Sequence, residues 1–188
     1  EISVRVFDQH YMQGVYETQD RASEVVVSAF CQLSAKSDSC FTAKNRRLSV
    51  HHSLTITQGD TVTLEKIVWL THRSDKAISQ ECFARNALAD LKVCAARGYD
   101  ALLESSAYAW EAVWRDARVE VTCAEQQDQL ALDYAVWHLT TMTPAHDERS
   151  SIAAKGLTGE GYKGHVFWDT EIFLLPFHLF TRPQIARS

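Results

Sequence analysis

The residues best suited to chemistry form the run Phe167-Trp168-Asp169-Thr170-Glu171. An indole ring offers an apolar face on which C–H groups can stack, and a carboxylate accepts hydrogen bonds from hydroxyl groups. A tryptophan beside two carboxylates is therefore suited to holding a sugar. The glycine-rich stretch 156–164 directly precedes this run and predicts a flexible loop that presents it.

Simpler structural roles are open for the same residues. Asp169 or Thr170 could cap a helix that begins there, with Glu171 in its first turn, and Phe167 and Trp168 could be core residues.

His165 and Asp169 stand four residues apart and could share a metal on a helix. No third ligand is evident, and an open zinc site normally has three protein ligands. A histidine ring bonded to the loop backbone is the favoured interpretation, and no metal is expected.

Residues 159–166 match the pattern G-x-G-x-x-G-x-V. A dinucleotide site also needs a strand directly before the motif and an acid about twenty residues after it. Here the preceding residues 150–155 are small and polar, and Gln184 occupies the acidic position. The lysine and catalytic loop of a kinase are also missing. Nucleotide binding is disfavoured, and the glycines instead allow the loop to fold tightly.

The 188 residues are 46% hydrophobic and 23% charged, which is typical of a globular protein of one domain or parts of two. The net charge of −5 disfavours nucleic acid or an anionic membrane as partner, since both favour a basic surface. No signal peptide or membrane-length apolar run is found. An odd number of cysteines without a C-x-x-C pair indicates small buried residues in a reducing compartment: Cys31, Cys40, Cys82, Cys94 and Cys123.

Alternating apolar residues in 2–6, 49–57 and 61–71, and the β-branched run 25–30, predict antiparallel strands of a β-sandwich. Gly59-Asp60 predicts a hairpin between the last two strands. Helical spacing predicts helices over 75–97, 99–116 and 124–141, with Gly98 ending the first. A brief strand is expected at 117–121, and a long loop over 142–166.

A further helix is expected from about Thr170, bent or ended by Pro176, and another from Pro183. Strands followed by helices indicate two domains joined by a helical segment. The chain begins inside a predicted strand and ends one turn into a predicted helix, so a fragment of a longer protein is expected.

The run from Ala154 to Phe177 resembles the signature of glycoside hydrolase family 65, which includes maltose, trehalose and kojibiose phosphorylases and related α-glucoside hydrolases. Weaker similarity covers 63–66, 96–103 and 110–121. The resemblance implies an α+β multidomain fragment. Residues 1–74 would end an N-terminal β-sandwich, 75–123 would form a helical linker, and 124–188 would begin an (α/α)6 catalytic barrel.

The resemblance also implies that Trp168 and Asp169 line the subsite of the cleaved glucosyl unit, with Phe167 and His165 as further candidates. The family's general acid would lie beyond Ser188, so this chain would hold no catalytic residue, and Glu171 is not assigned that role. The parent would be an inverting phosphorylase of α-glucosidic disaccharides that uses inorganic phosphate and no cofactor. The fragment alone would be inactive.

Two alternatives remain open: a hydrolase of the same family and a non-catalytic carbohydrate-binding module. The expected partners are an α-glucoside, phosphate, the remainder of the chain and further copies in a homo-oligomer. The expected location is cytoplasmic.

Overall fold

The computed structural model describes residues 3–6, 8, 10–19, 21–45, 47–122, 125–156, 159 and 161–187. The chain divides into two compact units, Glu1–Ser105 and Ser106–Ser188. The strands are β1 Ser3–Val6, β2 Tyr11–Glu17, β3 Glu24–Leu33, β4 Asp38–Lys44, β5 Arg47–Ser53 and β6 Leu64–Arg73. The α-helices are α1 Gln80–Ala117, α2 Gln126–Met142, α3 Leu175–Thr181 and α4 Pro183–Arg187.

The strands of the first unit form a four-stranded antiparallel sheet in the order β1-β2-β3-β6 and a separate two-stranded sheet of β4 and β5. This confirms the predicted antiparallel strands, although residue 2 of the first prediction lies outside the described residues. β3 and β6 pair along their whole length, from Glu24 opposite Arg73 to Leu33 opposite Leu64. The sequence did not predict β2 or β4.

The predicted hairpin around Gly59-Asp60 is wrong. The turn itself forms, because the N–H of Asp60 donates to the carbonyl of Thr57 at 3.0 Å. However, β5 pairs with β4 and β6 pairs with β3, so the turn leads from one sheet to the other. Two residues separate β4 from β5, which makes their local pairing entropically favourable.

One face of the larger sheet packs against the first part of α1. Val15 and Val26 cluster with Ala84 and Ala87 of the helix. Further along, Leu91 is buried between residues of β3 and β6. Alternate strand residues therefore face the helix, as the period of two in a strand requires.

The opposite face of the sheet is partly covered by the smaller sheet. Met12, Ala29 and Cys31 pack against Leu48 and Val50 of β5. Burial raises the pKa of the Cys31 thiol. The prediction of buried cysteines is correct for Cys31, whereas Cys40 is exposed, Cys82 and Cys94 are partly buried, and Cys123 lies outside the described residues.

Gly98 interrupts α1 with φ 77° and ψ 165°, where it was predicted to end a helix. Positive φ is unfavourable for residues with a Cβ atom, which accounts for glycine at the break. Residues 117–121 are all described, and they do not form the expected strand. There the N–H of Val121 donates to the side chain of Gln129 in α2, at 3.1 Å.

The tryptophans of α1 and α2 differ in their exposure. Trp110 and Trp114 stack with ring centroids 5.4 Å apart and are partly buried. Trp137 of α2 is 40% exposed, so it is not a core residue of the second unit. Among the described helices, none combines the length and the apolar character that a membrane span requires.

Candidate functional site

The described residues of the segment 143–167 lie in a long loop, as predicted, and they include a short 3₁₀ turn at Gly161–Gly164. Its beginning is organised by Asp147, which accepts hydrogen bonds from the backbone and side chain of Arg149 and from the hydroxyl of Ser150. The Arg149 guanidinium and these other donors lower the pKa of Asp147 to about 2. These hydrogen bonds fix the backbone at the beginning of the loop.

The glycine-rich part of the loop closes on itself. The N–H of Ala154 donates to the carbonyl of His165 at 3.2 Å, and the N–H of His165 donates to the carbonyl of Tyr162 at 2.9 Å. Tyr162 and Lys163 both have positive φ, which tightens the turn. The hydrogen bonds of His165 are made by its backbone, so the predicted ring-to-backbone bond is not the one that forms.

Trp168 projects from the start of the following helical segment. It is 64% exposed, and its ring centroid lies 5.9 Å from that of Phe173. Phe167 makes a similar edge contact with Tyr162 of the loop, at 5.3 Å. Both aromatic rings therefore have a supporting ring behind them. The core interpretation of Trp168 is wrong for the second unit described here.

Asp169 makes no capping hydrogen bond to the helical turn that begins after it. One of its carboxylate oxygens, Oδ1, is buried, and among the described residues no group donates a hydrogen bond to it. The hydroxyl of Thr170 donates instead to the carbonyl of Ile152, at 3.0 Å. The capping interpretation is therefore wrong for both residues.

Residues Thr170–Leu174 form a π-helical turn in which the N–H of Leu175 donates to the carbonyl of Thr170. In a regular α-helix the ring of Pro176 would clash with the carbonyl four residues earlier, at Ile172. The wider turn avoids this clash. The helical segment consequently continues through Pro176 into α3, so of the two expectations, a helix bent or ended by Pro176, the ending is wrong. Single π-helical turns are frequent at functional sites.

The sequence did not predict that His178 would be buried or that it would contact a residue near the end of α2. It is buried in α3, and its Nε2 lies 2.9 Å from the hydroxyl oxygen of Thr143 at the end of α2. A cavity of about 330 Å³ lies beside it. The cavity is lined mainly by loop residues, Thr170, Glu171 and residues of α3 and α4, and neither Trp168 nor Asp169 lines it. The cavity and the predicted sugar-binding pair are therefore distinct features of this unit.

The described residues contain no group of three or more His, Cys, Asp or Glu side chains that could hold a metal ion. The sequence raised the possibility that His165 and Asp169 share a metal. In the described part of the loop, no third side chain joins them to form such a group.

Comparison with protein families gives two matches. Residues 2–113 match the model described as glycosyl hydrolase family 65, N-terminal domain, and residues 133–188 match the glycosyl hydrolase family 65 central catalytic domain. The chain belongs to glycoside hydrolase family 65. This confirms the resemblance drawn from the signature between Ala154 and Phe177, of which Leu157, Thr158 and Glu160 lie outside the described residues.

Relatives within glycoside hydrolase family 65 include several phosphorylases. Kojibiose phosphorylase of Escherichia coli (strain K12) is 54% identical over 188 residues, which cover 100% of this chain and 25% of that protein. Nigerose phosphorylase of Lachnoclostridium phytofermentans is 42% identical over 91 residues, 48% of this chain and 12% of that protein. The chain spans about a quarter or less of the length of these relatives.

A solved structure of a candidate kojibiose phosphorylase from the human microbiome superposes with a TM-score of 0.84 at 19% identity. The superposition covers 99% of this chain and 24% of that chain. At this identity the likeness concerns the fold, and it agrees with the family assignment.

Proposed function

We propose that this chain is part of an inverting phosphorylase of α-glucosidic disaccharides, in which Trp168 and Asp169 bind the glucosyl unit that is transferred to phosphate. The observation that carries the proposal is the Asp169 carboxylate, whose buried Oδ1 accepts no hydrogen bond from the described residues. A buried carboxylate oxygen without a donor is unfavourable, and sugar hydroxyls would supply the missing donors. The exposed face of Trp168 beside it can stack on the C–H groups of the sugar ring.

The phosphorylase relatives support phosphate as the attacking group. In an inverting reaction, a carboxylic acid protonates the glycosidic oxygen while the nucleophile attacks C1 from the opposite face. Phosphate carries its own negative charge, so no second carboxylate is needed to activate it. We assign the general acid to the part of the full-length protein outside this chain, and we assign Glu171 no catalytic role.

The same proposal places the end of a β-sandwich at 1–74, a helical linker at 75–123 and the start of an (α/α)6 barrel at 124–188. The sheet supports the sandwich, because Leu64, Val68 and Leu70 of β6 are exposed on the face that points away from α1. Apolar residues in that pattern are typical of a sheet covered by a second sheet. We further propose a cytoplasmic, homo-oligomeric enzyme that acts without a metal or cofactor.

The test uses the full-length protein encoded by the same gene, with Asp169→Asn and, as a matched control, Asp90→Asn on the exposed surface of α1. The assay measures release of glucose 1-phosphate from kojibiose, nigerose, trehalose and maltose with phosphate present. A hydrogen bond to a charged group contributes about 1.5–3 kcal/mol, so loss of two such bonds should lower kcat/KM by about 10²-fold or more. Asp90→Asn should leave it unchanged.

Three outcomes would contradict the proposal. Near-normal turnover of every disaccharide by Asp169→Asn would remove the role assigned to the carboxylate. Release of free glucose without any need for phosphate would identify a hydrolase. Binding of glucosides without cleavage would identify a carbohydrate-binding module.

A further inference from the structure

The hydroxyl group of Thr143 determines which nitrogen of His178 carries a proton. This hydroxyl lies 2.6 Å from the carbonyl oxygen of Leu139, which can only accept, so the hydroxyl proton is used there. The contact of 2.9 Å between the hydroxyl oxygen and Nε2 of His178 therefore needs its proton from the ring. The imidazole is thus protonated at Nε2, and in its neutral form Nδ1 bears the lone pair.

Among the described residues, the second ring nitrogen of His178 has no hydrogen-bond acceptor within reach. His178 is 2% exposed, and among the described residues its buried Nδ1 has no hydrogen-bond partner. Burial, followed by the positive charge of Arg182, lowers the pKa of His178. A second proton would place an unpaired N–H and a charge in this buried position, which is unfavourable.

The charged groups around His178 come from several elements. Arg182 directly follows α3, Glu171 lies on the π-helical turn, and Glu148 and Arg149 lie on the loop. Glu171, Glu148 and Arg149 line the adjacent cavity. The side of the cavity formed by α4 carries Ile185 and Ala186, and the end of α2 supplies the Thr143 hydroxyl. Carboxylates are thus present at the cavity wall, but none of them accepts a hydrogen bond from the described Nδ1 atom.

The bond between His178 and Thr143 is the second of two anchors on one segment. At the start of the segment, the hydroxyl of Thr170 donates to the carbonyl of Ile152. At its end, His178 donates to Thr143. Both partners belong to the residues that lead from α2 into the loop. The π-helical turn lies between the anchors, so its direction relative to α2 depends on both of them.

We propose that the Thr143–His178 hydrogen bond is a positioning contact that orients Trp168 and Asp169 toward the sugar, and that a second proton on His178, at its buried and unpartnered Nδ1, displaces the ring from this contact. This inference rests on the proposed function, since it assumes that Trp168 and Asp169 bind the glucosyl unit. Thr143 and His178 are positioning residues, because they act through the helical segment rather than on the substrate. A small misorientation of a binding group is enough to reduce a rate strongly.

The first experiment compares Thr143→Val with Thr143→Ser in the full-length protein. Valine has nearly the same shape as threonine but no hydroxyl, whereas serine retains the hydroxyl. We expect Thr143→Val to weaken binding of the disaccharide about tenfold, measured by calorimetry without phosphate, and Thr143→Ser to stay within about threefold of the wild type. Equal affinity of Thr143→Val and the wild type would overturn the proposal.

The second experiment uses His178→Gln, whose amide can donate to Thr143 but does not titrate. Disaccharide affinity of the wild type should fall as the pH drops below about 6.5, the ordinary pKa of histidine, while that of His178→Gln should change much less. Parallel pH curves for the two proteins would overturn the requirement for an uncharged ring. If Thr143→Val fails to fold, the comparison of the wild type with His178→Gln still tests the positioning contact.

Asp169→Asn, measured in the same assay, separates the two proposals. If Asp169→Asn loses binding and Thr143→Val does not, only the positioning contact is refuted. If Asp169→Asn binds as tightly as the wild type, the proposed sugar site itself is refuted.

Discussion

Replacing Arg73 by Leu should destabilise the first unit strongly, because Arg73 is the partner of a buried carboxylate. The side chains of Arg73 and Glu24 are 10% and 7% exposed. Nε of Arg73 donates to Glu24 Oε2 at 2.7 Å, and Nη1 donates to the carbonyl of Ile78 at 2.6 Å. The guanidinium also lies 4.6 Å from the ring centroid of Phe83. One side chain thus connects β6, β3 and the start of α1.

The expected loss in free energy of unfolding depends on the contacts that Glu24 keeps in Arg73→Leu. Glu24 would retain one weak contact, from the amide of Gln80 at 3.4 Å, and would otherwise be a buried charge without a partner. Breaking a buried pair in this way typically costs about 3–5 kcal/mol. Since domains are stable by about 5–15 kcal/mol in total, this loss is a large fraction of the free energy of unfolding.

The assay is urea unfolding at pH 7 followed by circular dichroism, with Glu24→Leu and the double variant Glu24→Leu/Arg73→Leu beside Arg73→Leu. The double variant should be more stable than Arg73→Leu, because it removes the unpaired charge as well as its partner. The reasoning is refuted if Arg73→Leu lies within about 1 kcal/mol of the wild type, a difference typical of an exposed pair. It is equally refuted if the double variant is no more stable than Arg73→Leu.

Three further predictions concern stability. Leu91→Ala removes a side chain that is 0% exposed and should cost about 2–5 kcal/mol in urea unfolding, whereas Val93→Ala, at 64% exposure, should cost well under 1 kcal/mol. Gly98→Ala introduces a Cβ at φ 77° and ψ 165° and should lower the free energy of unfolding by about 1–3 kcal/mol, and an unchanged unfolding midpoint would show that the break in α1 relaxes. Because the pKa of His178 is lowered on folding, the unfolded state binds the extra proton more readily, so stability should fall as pH drops below about 6.5. His178→Gln should unfold with less dependence on pH in that range, and an identical pH dependence would contradict the assignment.

The strands were predicted from two different patterns. β6 alternates between more and less buried residues and was predicted from that alternation, whereas β3 is covered on both faces and was predicted from its β-branched run 25–30. In β2, the consecutive residues from Met12 to Val15 are all buried, since α1 covers one face and the smaller sheet the other. A strand covered on both faces loses its alternation, which is why β2 was not predicted.

The candidate site was predictable to the extent that it is local. The residue types of Trp168 and Asp169, and the tight loop before them, follow from the sequence alone. The capping role considered for Asp169 failed because its own backbone is already helical, with φ −62° and ψ −29°, whereas a capping residue normally has an extended backbone. Short-range patterns do not fix the first helical residue to that precision.

The sequence by itself determined the family, the succession of a strand-rich part and a helical part, and the pair of residues suited to a sugar, because each of these depends on neighbours within a few positions along the chain. Tertiary structure decided which strand pairs with which, that Oδ1 of Asp169 lacks a donor among the described residues, and that the ring of His178 contacts the hydroxyl of Thr143. These features join residues far apart in sequence, such as Thr143 and His178 or Glu24 and Arg73. A hydrogen bond between distant residues depends on the position of both after folding, and no local pattern of residue types encodes it.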